Sequence, residues 1–123
     1  MNPVVNWFEI PSIDFDRAVR FYSDVLGRPL EVTQGPSGGQ MAAFAPYDVE
    51  VNGAIVHSDL YTAGPSGPAL YLTVEGELND YLTRVEPAGG RVLNPKTPTG
   101  DGQGFWARFE DSEGNHIGIF SRG

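Results

Sequence analysis

Apolar positions in the first third of the chain switch between two periods. Val4 to Ile10 reads VVNWFEI, rich in β-branched and aromatic residues, and Pro11 blocks a central ladder, so the run predicts a strand. From Asp14 the pattern lengthens: Phe15, Ala18, Val19, Tyr22, Val25 and Leu26 recur at spacings of three and four. This predicts an amphipathic helix of about three turns, with Asp14 as its N-cap and Gly27 as its stop. Three short strands are then predicted, PLEVT at 29–33, QMAAFA at 40–45 and VNGAIVH at 51–57. The turn-forming runs GPSGG and PYD separate them.

After a Gly/Pro/Ser linker at 63–68 the same order begins again. LYLTV at 70–74 predicts a strand, ELNDYLTRV at 77–85 a helix, and RVLNP, FWARFE and HIGIF three further strands. Gly27-Arg28-Pro29-Leu30 matches Gly90-Arg91-Val92-Leu93 at an offset of 63, and Phe44 and Gly53 match Phe109 and Gly118 at an offset of 65. The fold class predicted is α+β, two tandem βαβββ modules, about 4–60 and 69–121, forming one domain over 1–123. A single module of about 60 residues buries too little surface to stand alone, so the two share one folding unit. With one helix per sheet, the other face of each curved mixed sheet is left to line a cup.

The stretches IPSIDFDRAVRFYSDVLGRPL, GGRVL and FEDSEGNHIGIF resemble the signatures of the vicinal oxygen chelate superfamily, which includes glyoxalase I, extradiol dioxygenases, and the bleomycin and fosfomycin resistance proteins. The resemblance covers nearly the whole chain. It implies metal ligands on the first and last strand of each module in the metal-dependent members, and a homodimer whose cups are completed by two chains. A monomeric mass in solution contradicts the dimer. Transferred to this chain, the ligand positions fall on Trp7, Gly53, Ala69 and Gly118. None of these side chains holds a divalent cation, so no metal or other cofactor is expected.

Strand alternation then gives an expected cup lining. Trp7 and Glu9 are expected inward and Phe8 and Ile10 beneath the helix; Ala69, Tyr71 and Thr73 inward and Leu70, Leu72 and Val74 in the core. Val51, Gly53, Ile55 and His57 share one face of their strand, and His116, Gly118 and Phe120 one face of theirs, both expected inward. Trp106 and Arg108 share a face whose direction the sequence leaves open. The candidate ligand-binding residues are therefore Trp7, Glu9, His57, Tyr71, Thr73, Trp106, Arg108 and His116, with Glu9 and His116 the candidate catalytic groups. Asp111 to Asn115 is read as turn chemistry. It is too short for a calcium loop. GPSGG and TGDGQG share only glycine content with phosphate loops.

Composition narrows the function. The chain has 123 residues, 40% of them hydrophobic, with no cysteine, which excludes disulfides, thiolate metal sites and cysteine nucleophiles. No apolar run approaches the roughly 20 residues of a membrane span. The N-terminus lacks the features of a secretory signal, so a cytoplasmic location is expected. A net charge of −8 disfavours nucleic acid and anionic membranes as partners. Two function classes remain. One is a small-molecule binding protein whose aromatic cup takes a partly aromatic or cationic ligand. The other is a lyase, isomerase or dioxygenase-type enzyme, using a metal rebuilt on His57, His116 and Glu9 or a metal-free base.

Overall fold

The computed structural model describes residues 4–34, 39–45, 50–57 and 61–123. Most of the runs GPSGG and PYD lies outside them. The described chain forms β1 (Trp7–Pro11), α1 (Phe15–Leu26), β2 (Glu31–Gln34), β3 (Gln40–Ala43) and β4 (Asn52–Val56), then β5 (Tyr71–Thr73), α2 (Leu78–Val85), β6 (Arg91–Pro98), β7 (Phe105–Glu110) and β8 (His116–Ser121). The strands make two four-stranded sheets, ordered β1-β4-β3-β2 and β5-β8-β7-β6. Each has one parallel pair, β1 with β4 and β5 with β8, and is otherwise antiparallel. The βαβββ order thus occurs twice, as the apolar pattern predicts.

α1 begins and ends on the residues the sequence marks for it. The Asp14 side chain accepts the Arg17 N–H at 3.1 Å. Gly27 takes a left-handed φ of 74° and donates its N–H to the Ser23 carbonyl, a conformation costly for a residue with a Cβ. The strand ends are less well marked. Val4 and Val5 are exposed and precede β1. β6 continues past RVLNP to Pro98 through two register irregularities that keep it paired to β7.

One apolar core joins the two modules. Phe15, Ala18, Phe21, Tyr22 and Val25 of α1 pack with Ile10, Ala42 and Ile55 of the first sheet and with Phe44 just after β3. The same cluster includes Leu72, Ala107, Phe109, Ile117 and Ile119 of the second sheet and Leu78, Leu82 and Val85 of α2. Phe21 packs on Phe109 with ring centroids 5.8 Å apart, and Tyr22 meets Phe44 edge-on at 5.5 Å. Arg84 of α2 donates to the Val25 carbonyl at the C-terminal end of α1. Leu70, Leu72 and Val74 lie on the core side, as do Phe8 and Ile10.

The turn at 111–115 is much more than a turn. Asp111, Glu113 and Asn115 are all buried. Asp111 accepts the Tyr22 hydroxyl at 2.7 Å, the backbone N–H groups of Glu113 and Asn115, and the Asn115 side-chain amide. Glu113 accepts the N–H groups of Ile13 and Asp14 at 2.7 and 2.6 Å and pairs with Arg17 through Nε and Nη2. Asn115 donates to the Pro11 carbonyl and accepts the Gly64 N–H. The β7–β8 connection therefore clamps the N-terminal end of α1, where a carboxylate is favoured by the unpaired N–H groups and the helix dipole.

Register corrects one expectation about faces. In the parallel β1–β4 pair, Phe8 stands opposite Gly53 and Ile10 opposite Ile55. Residues opposite one another share a face, so Gly53 and Ile55 lie on the core side with Phe8 and Ile10. A Cβ on Gly53 would sit 2.4 Å from the Phe8 ring, and Ile55 is completely buried in the core. Trp7, Glu9 and Ala54 take the opposite face. Ile55 pairs with Ala42 as Ile119 pairs with Ala107, so the offset between β4 and β8 is 64. The counterpart of Gly118 is thus Ala54, opposite Glu9, just as Gly118 is opposite Tyr71. A one-residue slip in a strand reverses every side chain, and sequence matches alone do not fix it.

Candidate functional site

The face of the second sheet turned away from the core gathers most of the expected cup residues. Its rows follow from pairing. Tyr71, Gly118, Arg108 and Asn94 form one row across four strands; Thr73, Phe120, Trp106 and Thr97 form the next. On the other side, His116 stands opposite Glu110, and Glu110 opposite Arg91. This settles the direction of Trp106 and Arg108, which lie on the cup face with Tyr71, Thr73 and His116. A cavity of about 490 Å³ lies over the aromatic part, lined by Tyr71, Thr73, Thr99, Trp106 and Phe120.

Gly118 owes its place to the tyrosine across from it. A Cβ there would fall 2.2 Å from Tyr71 Cδ2 and 2.4 Å from Cε2, so the ring rests directly on the glycine backbone. From that seat it meets Trp106 edge-on, with ring centroids 6.4 Å apart and planes at 77°. Tyr71 is nevertheless 45% exposed. Two aromatic rings and Phe120 thus form an apolar floor open to solvent, a surface suited to a flat ring.

Polar groups border that floor. Arg108 donates through Nη1 to the Asn94 side-chain oxygen at 3.0 Å. His116 Nε2 lies 3.4 Å from Glu110 Oε1, and Arg91 Nε lies 3.4 Å from Glu110 Oε2. The Arg91 hydrogen bond, helped by that of His116, holds the Glu110 carboxyl below its ordinary pKa, so Glu110 is an anion already paired with Arg91.

The remaining candidates lie elsewhere. Trp7 donates its indole N–H to Glu9 Oε2 at 3.2 Å, so the two share the face of β1 opposite Phe8 and Ile10. Tyr61 also hydrogen-bonds Glu9, and that carboxylate raises the tyrosine's pKa. Neither Trp7 nor Glu9 lines the cavity over the second sheet. His57 is not in the cup: β4 ends at Val56, and the exposed imidazole sits at the N-terminal end of α1, with Nδ1 3.0 Å from the Ser12 carbonyl oxygen. Among the described residues no three His, Asp or Glu side chains come together to hold a metal ion, so His57, His116 and Glu9 do not assemble a centre.

Comparison with known proteins agrees with this architecture. A profile of the Glyoxalase/Bleomycin resistance protein/Dioxygenase superfamily matches residues 4–119. The chain belongs to this superfamily. Within the superfamily it is 30% identical to a glyoxylase-like domain-containing protein of Didymella fabae, over 96% of this chain and 93% of the relative. It is 29% identical to a probable lactoylglutathione lyase of Synechocystis sp., over 85% of this chain and 84% of the relative. Among solved structures, a glyoxalase-related enzyme from Fulvimarina pelagi superposes with a TM-score of 0.70 at 20% identity, covering 95% of this chain and 86% of that one. At that identity the likeness concerns the superfamily fold. No helix of the described chain is long and apolar enough to cross a membrane.

Sequence reasoning missed Asn94, Thr99 and Glu110 as neighbours of the site. Asn94 and Thr99 lie in and beyond the irregular part of β6, where a period-two pattern breaks down. Glu110 carried a usable signal, since it shares a face with Arg108 two residues away.

Proposed function

We propose that this superfamily member is a small-molecule binding protein that holds a flat aromatic ligand against Tyr71, Trp106 and Phe120 without a metal ion. The observation that carries the reading is the Tyr71 ring seated on Gly118, at a position where the resemblance implies a metal-ligating carboxylate in metal-dependent relatives. An aromatic surface replaces a charged ligand there. With register taken into account, the four transferred positions are Trp7, Ala54, Ala69 and Gly118. An indole, two methyl groups and a glycine offer no donor suited to a divalent cation, so no step of the function is assigned to a metal. The 45% exposure of Tyr71 also suits the homodimer expected from the resemblance, in which a second chain roofs the floor.

The reading is tested by calorimetric titration of 2-naphthamide, a neutral bicyclic probe, into protein treated with EDTA. Saturable binding is expected, and Trp106→Ala is expected to weaken it about tenfold, or ~1.4 kcal/mol, the worth of one good aromatic contact. Binding that needs added metal, or that is indifferent to Trp106→Ala, contradicts the reading.

A further inference from the structure

We propose that the cup face of the second sheet selects an aromatic acid, with Arg108 pairing the ligand's carboxylate while its ring rests on Tyr71 and Trp106. The inference rests on the stacking reading above and adds the charge of the ligand. It also narrows the expectation of a partly aromatic or cationic ligand to an aromatic anion.

Arg108 is two residues from Trp106 on the same strand face, about 7 Å along β7. It is two strands from Tyr71, about 10 Å, with only the glycine backbone of Gly118 between them. Arg108 lies outside the residues that line the cavity, so a ring on the aromatic floor meets the guanidinium through a substituent that extends past Gly118. Among the described residues, the hydrogen-bond partner of that guanidinium is the neutral Asn94 amide oxygen. Asn94 orients the fork without cancelling its charge, and leaves most of its five N–H donors for a bidentate partner. The acid sharing this face, Glu110, is engaged from its other side by Arg91 and His116, both at 3.4 Å. Arg91 is paired with Glu110, and Asp101 accepts from Thr99 at the edge of the cavity, so what sets Arg108 apart on this face is its neutral hydrogen-bond partner.

The chain's net charge of −8 acts at long range and is screened beyond roughly 8 Å at physiological salt. Discrimination at contact is decided by Arg108. Glu9 is bonded to Trp7 on the other sheet. The volume of about 490 Å³ accommodates a bicyclic acid.

The test compares three probes of one shape, 2-naphthoate, 2-naphthamide and 2-naphthylmethylammonium, by calorimetry on wild type and Arg108→Gln. Wild type is expected to bind the acid at least tenfold more tightly than the amide, and the cation least. Arg108→Gln is expected to bring the acid down to the level of the amide. In wild type the acid-to-amide ratio is also expected to fall as salt rises from about 20 to about 500 mM. This second measurement decides the matter if circular dichroism shows Arg108→Gln to be misfolded, and a salt-independent ratio then overturns the proposal. Equal affinities for acid and amide, or tightest binding of the cation, overturn the role of Arg108 and leave the aromatic floor standing. Failure of all three probes to bind overturns both readings.

Discussion

Glu113→Gln is expected to destabilise the fold by about 3 kcal/mol at neutral pH, the range for breaking a buried ion pair, discounted because Arg17 is half exposed. In a chain of this size that lowers the melting temperature by roughly 10 °C. The Glu113 side chain is fully buried and accepts from two N–H groups at the start of α1, from Arg17 and from Ser112. A neutral amide loses the ion pair and turns an NH₂ toward donors. The pH dependence identifies the cause. Burial works to raise the Glu113 pKa, but the combined donors outweigh it and hold the carboxyl below its ordinary value. A depressed folded pKa supplies stability that is fully present above the unfolded value, about 4.3, and is lost as pH falls through the folded value. Thermal melts should therefore show a constant gap between wild type and Glu113→Gln above about pH 5, closing at lower pH. Asp111 responds in the opposite sense, because burial raises its pKa. Both proteins carry it, so the difference isolates Glu113. A gap that widens on acidification contradicts this assignment.

Gly118→Ala is expected to weaken 2-naphthamide binding roughly thirtyfold, about 2 kcal/mol, while changing stability by about 1 kcal/mol or less. The new methyl would occupy the place of the Tyr71 ring, 2.2 Å from Cδ2. Tyr71 is half exposed and can swing into solvent, so the fold tolerates the change but the floor loses its seated ring. Gly90 provides the contrast: a Cβ there would lie 2.4 Å from the Glu110 carbonyl oxygen and 2.6 Å from the Phe21 ring, and no side-chain rotation relieves a clash with backbone. Calorimetry together with a thermal melt separates the outcomes for Gly118→Ala. Unchanged affinity would show that the seated tyrosine is not part of the binding surface.

The fold was legible where a local pattern determines a local structure. The apolar spacing of α1, its Asp14 cap and its Gly27 stop are each visible over a dozen residues, and the repeat of the βαβββ order exposed the two modules. Legibility failed where the deciding contact is distant or depends on register. Gly53 and Gly118 look equivalent in sequence, yet one lies under Phe8 on the core side and the other under Tyr71 on the cup side. Only strand pairing distinguishes them. His57 shares the alternation of β4 but follows its last paired residue, so its side chain leaves for the end of α1. The run EDSEGN shows its turn residues plainly. That Glu113 caps a helix 100 positions earlier in the chain is tertiary information with no local trace.

In the proposed reading the functional weight of the molecule lies on the second sheet. Its outer face carries the seated Tyr71, Trp106, Phe120 and Arg108, and the outer face of the first sheet carries Trp7, Glu9 and Ala54. The central claim is that the cup works through this aromatic surface rather than through a metal centre. The measurement that bears on it most directly is the metal content of purified protein after incubation with zinc, nickel, iron(II) and manganese(II) and removal of unbound ions, read by elemental analysis. The predicted result is a substoichiometric trace of every metal. One tightly held ion per chain would contradict it.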